Sequence, residues 1–341
     1  MRIAVGRRSP ILILAVVGAA ALLVIPNVTD TFQTFEWAQV AAFATAIVGL
    51  NILTGYSGQI SLGNGAFMAI GSYSTAILSA RYGWPYPLTI PVGAVLSFFL
   101  GILFGIPALR LRGIYLALAT FALALSVTPV LNNFDTFTGG HVGITMAPIS
   151  PPFGLPLSNE QWLYWFDWGT FLLLFVPASL MIRARTGRAW MAIRDSETAA
   201  VANGISLAYY KTLAFGVSAL YAAVAGSLLV INVQYANPDS YNLNLSLQLL
   251  IGVVLGGLAY VGGPILGAAL VVWLPQFAEK AFGSKPDVAF GILLILVVLL
   301  APDGAAGLIT RLVGRLWKGE EPTLPPALVD AATTDAGQAH T

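Results

Sequence analysis

The chain has 341 residues, of which 57% are hydrophobic and 9% are charged, and its formal net charge is +1. A soluble domain carries about 25% charged residues, so this composition predicts an integral membrane protein. Cysteine is absent and there are two histidines, His141 and His340. This excludes a disulfide framework and a thiolate metal site, and it leaves little material for histidine-based catalysis or metal binding.

Apolar segments long enough to cross a bilayer follow one another along the chain. About 20 helical residues span the hydrocarbon core, and we place such spans near residues 10–26, 36–54, 60–80, 88–108, 114–131, 168–182, 212–235, 245–276 and 288–302. The segment 245–276 is too long for one ordinary span and is interrupted by the sequence GGLAYVGGP. It predicts two short helices that meet at Gly262, Gly263 and Pro264.

The predicted fold class is an all-α polytopic membrane protein, a bundle of about 8–10 transmembrane helices of which some are short or broken. With the N-terminus in the cytoplasm, 13 Lys and Arg residues fall inside and three, Arg81, Lys280 and Lys285, fall outside. This asymmetry follows the positive-inside rule and requires 245–276 to cross twice, which puts both termini in the cytoplasm. The first apolar segment could alternatively be a cleaved signal peptide, although no small-residue cleavage site follows it.

Residues 1–310 form the predicted transmembrane domain, and residues 311–341 form a polar, Pro-rich tail whose composition favours disorder. Two connections within the domain are long. The outside loop 132–167 is rich in Gly and Pro and has no Lys or Arg, so it is either a docking surface for a partner or a lid packed over the bundle. The loop 183–211 is the longest cytoplasmic connection.

All fifteen acidic residues fall in loops, at span edges or in the tail, with Glu36 and Asp167 at the edges of their predicted spans. Ionisable groups inside a membrane usually mark proton relays or ion paths, so their absence argues against a proton-coupled transporter. It also argues against an intramembrane enzyme. Because a GxxxxGK[ST] phosphate-binding loop is missing, ATP-driven transport would require an ATPase on another polypeptide.

The cytoplasmic loop 183–211 contains a predicted short helix. The sequence GRAWMAIRDSETAAVANG starts after Gly187, runs through good helix formers and stops at Asn203 and Gly204. Ser206 is suited to cap a second helix that leads into the next span.

Two features of this helix indicate its contacts. Arg194 and Glu197 are three residues apart and can pair on its exposed face, while Trp190, Ile193 and Val201 form an expected apolar anchor. The helix either docks a partner protein or lies on the membrane with its arginines against lipid phosphates. The residues alone do not separate these alternatives.

The same loop resembles the coupling loop of ABC importer permeases, which presents a short helix to a cytoplasmic ATPase. Ala199 and Ala200 are followed after three residues by Gly204, although Thr198 replaces the first alanine of the consensus and the downstream I-x-L-P is missing. Four other sequences, TGYSGQISLGNGAFMAIGSY, LRGIYLALATFAL, TGGHVGI and VVLGGLAYVGGPILGA, resemble the LivM-type subunit of the high-affinity branched-chain amino acid ABC permease family. The resemblance runs from about residue 37 to residue 302, and His141 stands where a small or polar residue is expected.

This resemblance implies a non-catalytic importer subunit in a bacterial inner membrane. Its partners would be a second, LivH-type permease, two cytoplasmic ATPases that bind ATP and magnesium, and an extracytoplasmic amino-acid-binding protein; the chain itself would hold no cofactor. The transported solute would be Leu, Ile, Val or a related amino acid. The residues assigned to ATPase coupling are Gly187, Arg188, Trp190, Arg194, Asp195, Glu197, Ala199, Ala200 and Gly204.

The polar, uncharged stretch 55–74 has two readings. Ser57, Ser61 and Gly65 follow a small-x-x-x-small rhythm that lets helices pack closely. Alternatively the glycines break the helix, and polar groups of the stretch line a translocation pathway, because irregular backbone at membrane depth faces protein or water. The candidate pathway residues are Ser57, Gln59, Ser61, Asn64, Tyr115 and Thr120.

The glycines of the segment 245–276 are assigned mainly to packing. Gly252 and Gly256, and likewise Gly263 and Gly267, have the GxxxG spacing, and Pro264 is expected to fix the break between the two short helices.

Two rival functions remain open. A stand-alone ion-coupled secondary transporter or channel for small neutral solutes would use 183–211 only as a surface helix. Within the ABC family, urea or short amides suit an apolar pathway with a few hydrogen-bonding groups as well as an aliphatic amino acid does.

Overall fold

The computed structural model describes residues 22–111, 113–152, 156–282, 304–308 and 310. The predicted span 288–302, most of the predicted span 10–26 and the tail 311–341 lie outside these residues. Every contact below lies among the described residues up to Gly307, which belong to one compact unit.

Helices dominate the described part of the chain. The α-helices are α1 Thr31–Leu50, α2 Asn64–Tyr82, α3 Tyr86–Ala108, α4 Ile114–Asn133, α5 Asp135–Thr138, α6 Asn159–Arg183, α7 Arg185–Asp195, α8 Glu197–Ala202, α9 Leu207–Val233, α10 Leu243–Gly256 and α11 Gly263–Phe282. Residues 22–28 are also helical. A π-helix, Asn51–Tyr56, continues α1, and 3-10 helices cover Gly140–Val142 and Pro238–Tyr241.

Five of these helical segments are long and apolar enough to cross a membrane: Thr31–Tyr56, Tyr86–Ala108, Ile114–Asn133, Asn159–Arg183 and Leu207–Val233. The prediction of a polytopic, nearly all-α membrane protein is therefore confirmed. A two-stranded antiparallel ribbon is added, in which β1 Ile144–Thr145 pairs with β2 Tyr235–Ala236. We call the end of the bundle that carries this ribbon the ribbon end, and the end that carries α7 and α8 the loop end.

The core of the bundle lies between α1 and α9, and close backbone contacts hold it together. The apolar stretches of these two segments are 83% and 89% buried, whereas that of α4 is 17% buried. A Cβ atom at Gly71 of α2 would stand 1.9 Å from the carbonyl oxygen of Ala223, and one at Gly226 would stand 1.9 Å from that of Met68. Without side chains at these two points α2 and α9 can touch backbone to backbone, the arrangement typical of membrane helix pairs.

The predicted break in 245–276 is present, but it covers Gly257–Gly262 and does not centre on Pro264. Pro264 is the second residue of α11, where proline fits the first helical turn. The helices α10 and α11 form an antiparallel hairpin, since Gly252 and Gly256 approach Gly267 and Gly263 respectively. With 14 residues, α10 is about 21 Å long, too short to cross the bilayer by itself.

Two stretches enter the bundle without α-helical structure, residues 57–63 before α2 and residues 234–242, which contain β2 and a 3-10 helix, before α10. The helices that follow them begin close together inside the protein, because the backbone N–H of Gly65 donates to Ser246 Oγ at 3.0 Å. Asn64 also reaches Ser218 of α9, with 3.2 Å between Nδ2 and Oγ. Ser218 follows Leu207 by eleven residues, which places it about 16 Å along α9 from the loop end.

The helix α6 begins nine residues earlier than the predicted span 168–182. A capping box starts it, in which Ser158 accepts from the backbone of Gln161 and the Gln161 side chain accepts from the backbone of Ser158. This early start places Asp167 within the helix, with its side chain fully buried.

Candidate coupling and translocation sites

The loop between α6 and α9 folds as two helices, so the prediction of one continuous helix is wrong. Ser196 takes an extended backbone conformation and caps α8 by accepting from the backbone N–H of Ala199 at 3.3 Å. Serine competes for backbone hydrogen bonds in this way and favours caps over helix interiors. At the other end of α8 the chain turns at Gly204, whose φ is +76°, and Ser206 caps α9 as expected.

The helix α7 is anchored through its buried face. Trp190 is completely buried and Ile193 is 2% exposed, and Trp190 Nε1 donates to the carbonyl of Tyr210 at 2.8 Å. Val201 does not belong to this anchor, since it lies on α8 and is 55% exposed. The kink at Ser196 turns α8 away from the helical register that would have buried it.

Arg194 connects α7 to the end of the π-helix. Its Nη1 donates to the carbonyl of Gly55 at 2.8 Å, and its Nε lies 3.6 Å from the neighbouring carboxylate of Asp195. A Cβ atom added to Gly58 would stand 2.7 Å from Arg194 Cγ. The loop helix therefore touches the start of the non-helical stretch 57–63 directly.

Lys211 makes a second connection between the loop and this stretch. Its ammonium group donates to Glu197 of α8, and its backbone carbonyl accepts from Gln59 Nε2 at 3.4 Å. Gln59 Nε2 also lies 2.7 Å from Ser57 Oγ. Arg194 and Glu197, which were expected to pair with each other, thus each reach a partner outside the loop helices.

Some of the remaining predicted coupling residues are buried and shape the loop, and the others are exposed. Gly187 permits a tight turn, because a Cβ atom there would stand 1.8 Å from the carbonyl oxygen of Ile182, and Ala200 is 2% exposed. Arg188, Ala199 and Gly204 are exposed. The outer face of α8 consequently presents small side chains that a groove on another protein can approach.

Four of the six candidate pathway residues lie in or beside the stretch 57–63 and are buried. Ser57, Gln59, Ser61 and Asn64 are between 1% and 6% exposed. Thr120 of α4 joins them, because its Oγ1 accepts from the backbone N–H of Leu62 at 2.9 Å.

Tyr115 does not join this group. It lies in the first turn of α4 and is 68% exposed. Of the other five, Gln59, Asn64 and Thr120 bond between elements, whereas Ser57 and Ser61 bond within the stretch, to Gln59 and to the backbone N–H of Gly63. A pathway along 57–64 would open when these bonds are exchanged.

The four glycines of the α10–α11 hairpin lie at its helix contact. Cβ atoms at Gly256 and Gly267 would stand 2.3 Å and 2.0 Å from the carbonyl oxygens of Gly263 and Gly252, and one at Gly252 would stand 2.5 Å from Ile47 Cδ1. The spacing therefore brings backbones together here, whatever further role this region has.

Sequence reasoning missed Asn51, which holds the turn 257–262. Its Nδ2 donates to the carbonyl of Tyr260 at 3.0 Å and its Oδ1 accepts from the backbone N–H of Ala259 at 2.9 Å. Ala259 has a φ of +61°, a conformation that alanine rarely adopts. The signal in the sequence was an amide in the apolar run IVGLNILTG, where it has to find buried partners.

The prediction that no ionisable group lies inside a span is wrong for Asp167. This carboxyl group is fully buried, and its Oδ2 accepts from Asn232 Nδ2 of α9 at 2.6 Å. The error came from placing the start of α6 too late. The absence of buried carboxylates therefore no longer argues against proton coupling.

At the ribbon end, the loop region 134–146 packs against the stretch that follows α9. His141 is exposed there, and the hydroxyl of Tyr235 donates to the carbonyl of Val142 at 2.6 Å. Tyr241 is buried and donates to Ser72. Burial raises the pKa of this phenol to about 12 despite the opposing effect of the Ser72 hydrogen bond, so Tyr241 remains protonated and donates at physiological pH.

A comparison against protein families identifies the chain's relatives. The model described as "Branched-chain amino acid transport system / permease component" matches residues 35–301. The chain belongs to this family. Together with the five long apolar helices, membership identifies a multi-pass protein of the inner membrane.

Curated members of the family resemble the chain over most of its length. LivM of Salmonella typhimurium, a high-affinity branched-chain amino acid transport system permease, is 33% identical over 282 residues, which are 75% of this chain and 66% of LivM. LivH of Escherichia coli, a permease of the system with the same name, is 25% identical over 289 residues, 78% of this chain and 92% of LivH. LsrC of Yersinia pestis, a permease of an autoinducer 2 import system, is 28% identical over 54% of this chain and 50% of LsrC.

The chain thus spans slightly less than two thirds of the length of LivM. No solved structure matches it.

Proposed function

We propose that the chain is a membrane subunit of an ATP-driven importer and that α7 and α8 couple it to separate cytoplasmic ATPases. The observation that carries this proposal is the hydrogen bond from Arg194 of α7 to the carbonyl of Gly55. Through it, a helix exposed on one face is bonded on the other to the end of the π-helix, directly before the buried polar stretch 57–64. A surface helix that only contacted lipid would need no such connection.

In the proposed cycle, ATP binding draws the two ATPases together and moves α8 with them. Because Trp190 and Ile193 fix α7 to the bundle, the movement is passed on as a tilt of α7. The bonds from Arg194 to Gly55 and from Gln59 to Lys211 then pull on the stretch 57–64 and open the pathway. The chain carries no chemical step; ATP and magnesium are bound by the partner subunits.

The orientation follows from this assignment. The loop end faces the cytoplasm, as do both termini, and the ribbon end faces the extracytoplasmic binding protein that delivers the solute. A second, LivH-type permease completes the membrane part, which is supported by the similarity of this chain to both LivM and LivH. The proposed solutes are Leu, Ile, Val or related amino acids, although the likeness to LsrC shows that this kind of sequence is not confined to amino acid systems.

Co-purification with candidate ATPase subunits tests the coupling assignment. Val201→Glu places a charge on the exposed face of α8 without touching the core, because Val201 is 55% exposed. Val142→Glu is the matched control at the ribbon end, where Val142 is 78% exposed. We expect wild type and Val142→Glu to retain the ATPases in mild detergent and Val201→Glu to lose them. Equal retention by all three contradicts the assignment of α8 as the docking surface.

One observation favours a second candidate, a stand-alone proton-coupled transporter. Asp167 is a fully buried carboxyl group in a helix long enough to span the membrane, and such groups often serve proton coupling. Uptake by the chain alone in proteoliposomes, driven by a pH gradient and abolished in Asp167→Asn, would support this candidate. Uptake that requires the ATPases and ATP excludes it.

A further inference from the structure

A cavity of about 450 Å³ lies between the first turns of α1 and the second half of α11. It is near the ribbon end, since Trp37 in its wall accepts a hydrogen bond from Trp168 of α6 close to buried Asp167. Its lining residues are Gln33, Glu36, Trp37, Trp273, Gln276 and Phe277. None of them belongs to the coupling or pathway residues discussed above.

Glu36 is the unusual member of this lining. It is 7% exposed, and its Oε1 atom is buried without a hydrogen-bond partner among the residues that the structure describes. It also lies in the segment Thr31–Tyr56, which is apolar and long enough to cross a membrane. Glu36 lines the cavity, and a carboxyl group in this setting is costly to leave unpaired, so the cavity calls for a ligand that is positively charged or donates a hydrogen bond.

The rest of the wall defines the chemistry of that ligand. Trp37 and Trp273 meet edge to face with their ring centroids 4.5 Å apart, and indole faces attract cations within about 6 Å. Gln33 and Gln276 add two amide oxygens that can accept from N–H groups. Carboxylate, aromatic rings and amide acceptors together suit an organic ammonium group better than a metal ion, which would require more oxygen ligands at short range.

We propose that this cavity binds a primary ammonium group, with Glu36 as its counter-ion. Two sources carry this group at the membrane surface. One is the ethanolamine headgroup of a phospholipid, whose binding would not depend on the transport assignment. The other is the α-ammonium group of a free amino acid; this alternative rests on the proposed function and would make the cavity an entry site on the extracytoplasmic side.

The lipid source is tested by native mass spectrometry of the purified chain with phosphatidylethanolamine, phosphatidylcholine or phosphatidylglycerol added. We expect wild type to retain phosphatidylethanolamine about tenfold better than the other two lipids, because choline has no N–H group and glycerol has no charge. Glu36→Gln keeps the shape and removes the negative charge, so it should lose this preference. Asp30→Asn makes the same change at an exposed carboxylate six residues earlier and should keep it.

The amino acid source is tested in nanodiscs of phosphatidylglycerol alone. If radiolabelled leucine binds to wild type and to Asp30→Asn but at least roughly tenfold more weakly to Glu36→Gln, the ammonium group comes from the amino acid. Co-purification of Glu36→Gln with the ATPases separates this result from the proposed function, because the coupling loop lies at the other end of the bundle.

Gel filtration and thermal unfolding check that Glu36→Gln folds, and Gln276→Leu provides a second variant expected to weaken binding without changing a charge. If both variants fold and bind lipid and leucine as wild type does, the proposal is overturned.

Discussion

Residues 57–63 and residues 257–262 both interrupt helical structure inside the bundle, but different contacts hold them. The stretch 57–63 is held by hydrogen bonds to three other elements. Thr120 of α4 accepts from the backbone N–H of Leu62, Thr54 of the π-helix donates to the carbonyl of Gln59, and the Gln59 side chain donates to the carbonyl of Lys211 in α9. The turn 257–262 is fixed by one side chain, Asn51, and by backbones that touch across Gly256 and Gly267.

The difference indicates which of the two can move. Hydrogen bonds to separate elements can be exchanged one at a time, and those of 57–63 reach α4, the π-helix and α9. Backbone contacts across glycines leave no room for sliding, and the side chain that holds the turn 257–262, Asn51, belongs to the π-helix that continues α1. We therefore expect 57–63 to change during transport and 257–262 to stay with α1.

Placing a larger side chain at the α10–α11 contact should have the largest effect on stability. In Gly267→Val the new Cβ would stand 2.0 Å from the carbonyl oxygen of Gly252, and because the obstacle is backbone the hairpin has to separate. We expect a loss of about 3 kcal/mol in the free energy of unfolding, measured by denaturant titration in detergent. Gly169→Val is the control, since a Cβ there meets nothing within 4 Å. Equal stability of the two variants would show that the hairpin is loose.

Removing the Asn51 amide that holds the turn 257–262 should lower the free energy of unfolding somewhat less. Asn51→Leu leaves the carbonyl of Tyr260 and the N–H of Ala259 without their partner, for an expected loss of about 2–3 kcal/mol. The same titration measures it, with the exposed Asn133 changed to Leu for comparison. A loss below about 0.5 kcal/mol would mean that glycine packing alone holds the turn.

Removing the hydrogen bond from Arg194 to Gly55, directly before the stretch 57–63, should affect transport more than stability. Arg194→Met keeps the aliphatic part of the side chain and removes the bond to Gly55, and since the side chain is 41% exposed we expect a stability loss of about 1 kcal/mol. ATP-driven uptake by the assembled complex should fall roughly tenfold while the ATPases remain bound. Arg185→Met, at an exposed position of the same helix, should leave uptake intact; if it lowers uptake equally, the effect belongs to loop charge and not to the Gly55 bond.

The smallest expected effect is an increase in stability, caused by a substitution at Ala259. Ala259 has a φ of +61°, and Ala259→Gly relieves this strain but raises the entropy of the unfolded chain, for a net stabilisation of up to about 1 kcal/mol. Ala208→Gly, at an exposed position in the first turn of α9, should destabilise by about 0.5–1 kcal/mol. If the melting temperature rises in Ala259→Gly and falls in Ala208→Gly, the backbone at Ala259 is strained. A lower melting temperature in both variants would contradict this.

Hydrophobic length predicted the helical class and most of the spans, because the bilayer sets a fixed requirement that each segment meets by itself. The start of α6 was misplaced because it is set by the capping box at Ser158 and Gln161, outside the apolar run. That error of nine residues changed the interpretation of Asp167 from a loop acid to a buried one.

The features of the candidate sites that depend on local sequence were also predictable. The glycine and serine pattern marked 57–64, and the end of the loop helix at Gly204 followed from its neighbouring residues. The kink at Ser196, the exposure of Val201 and the bond from Arg194 to Gly55 could not be found in this way, since they depend on how helices distant in sequence come together. Asn51 belongs to the same group, as its partners lie more than 200 residues away.

The bonds of the stretch 57–63 also constrain how the protein is made. The N–H of Leu62 finds its acceptor 58 residues later in the chain, and the Gln59 side chain finds its backbone acceptor 152 residues later. When this stretch leaves the ribosome neither partner has been synthesised, and lipid offers no substitute. We therefore expect α2 to stay in the translocon, or in contact with water, until α9 has been inserted, so that biogenesis of this half of the bundle is completed late and as a unit.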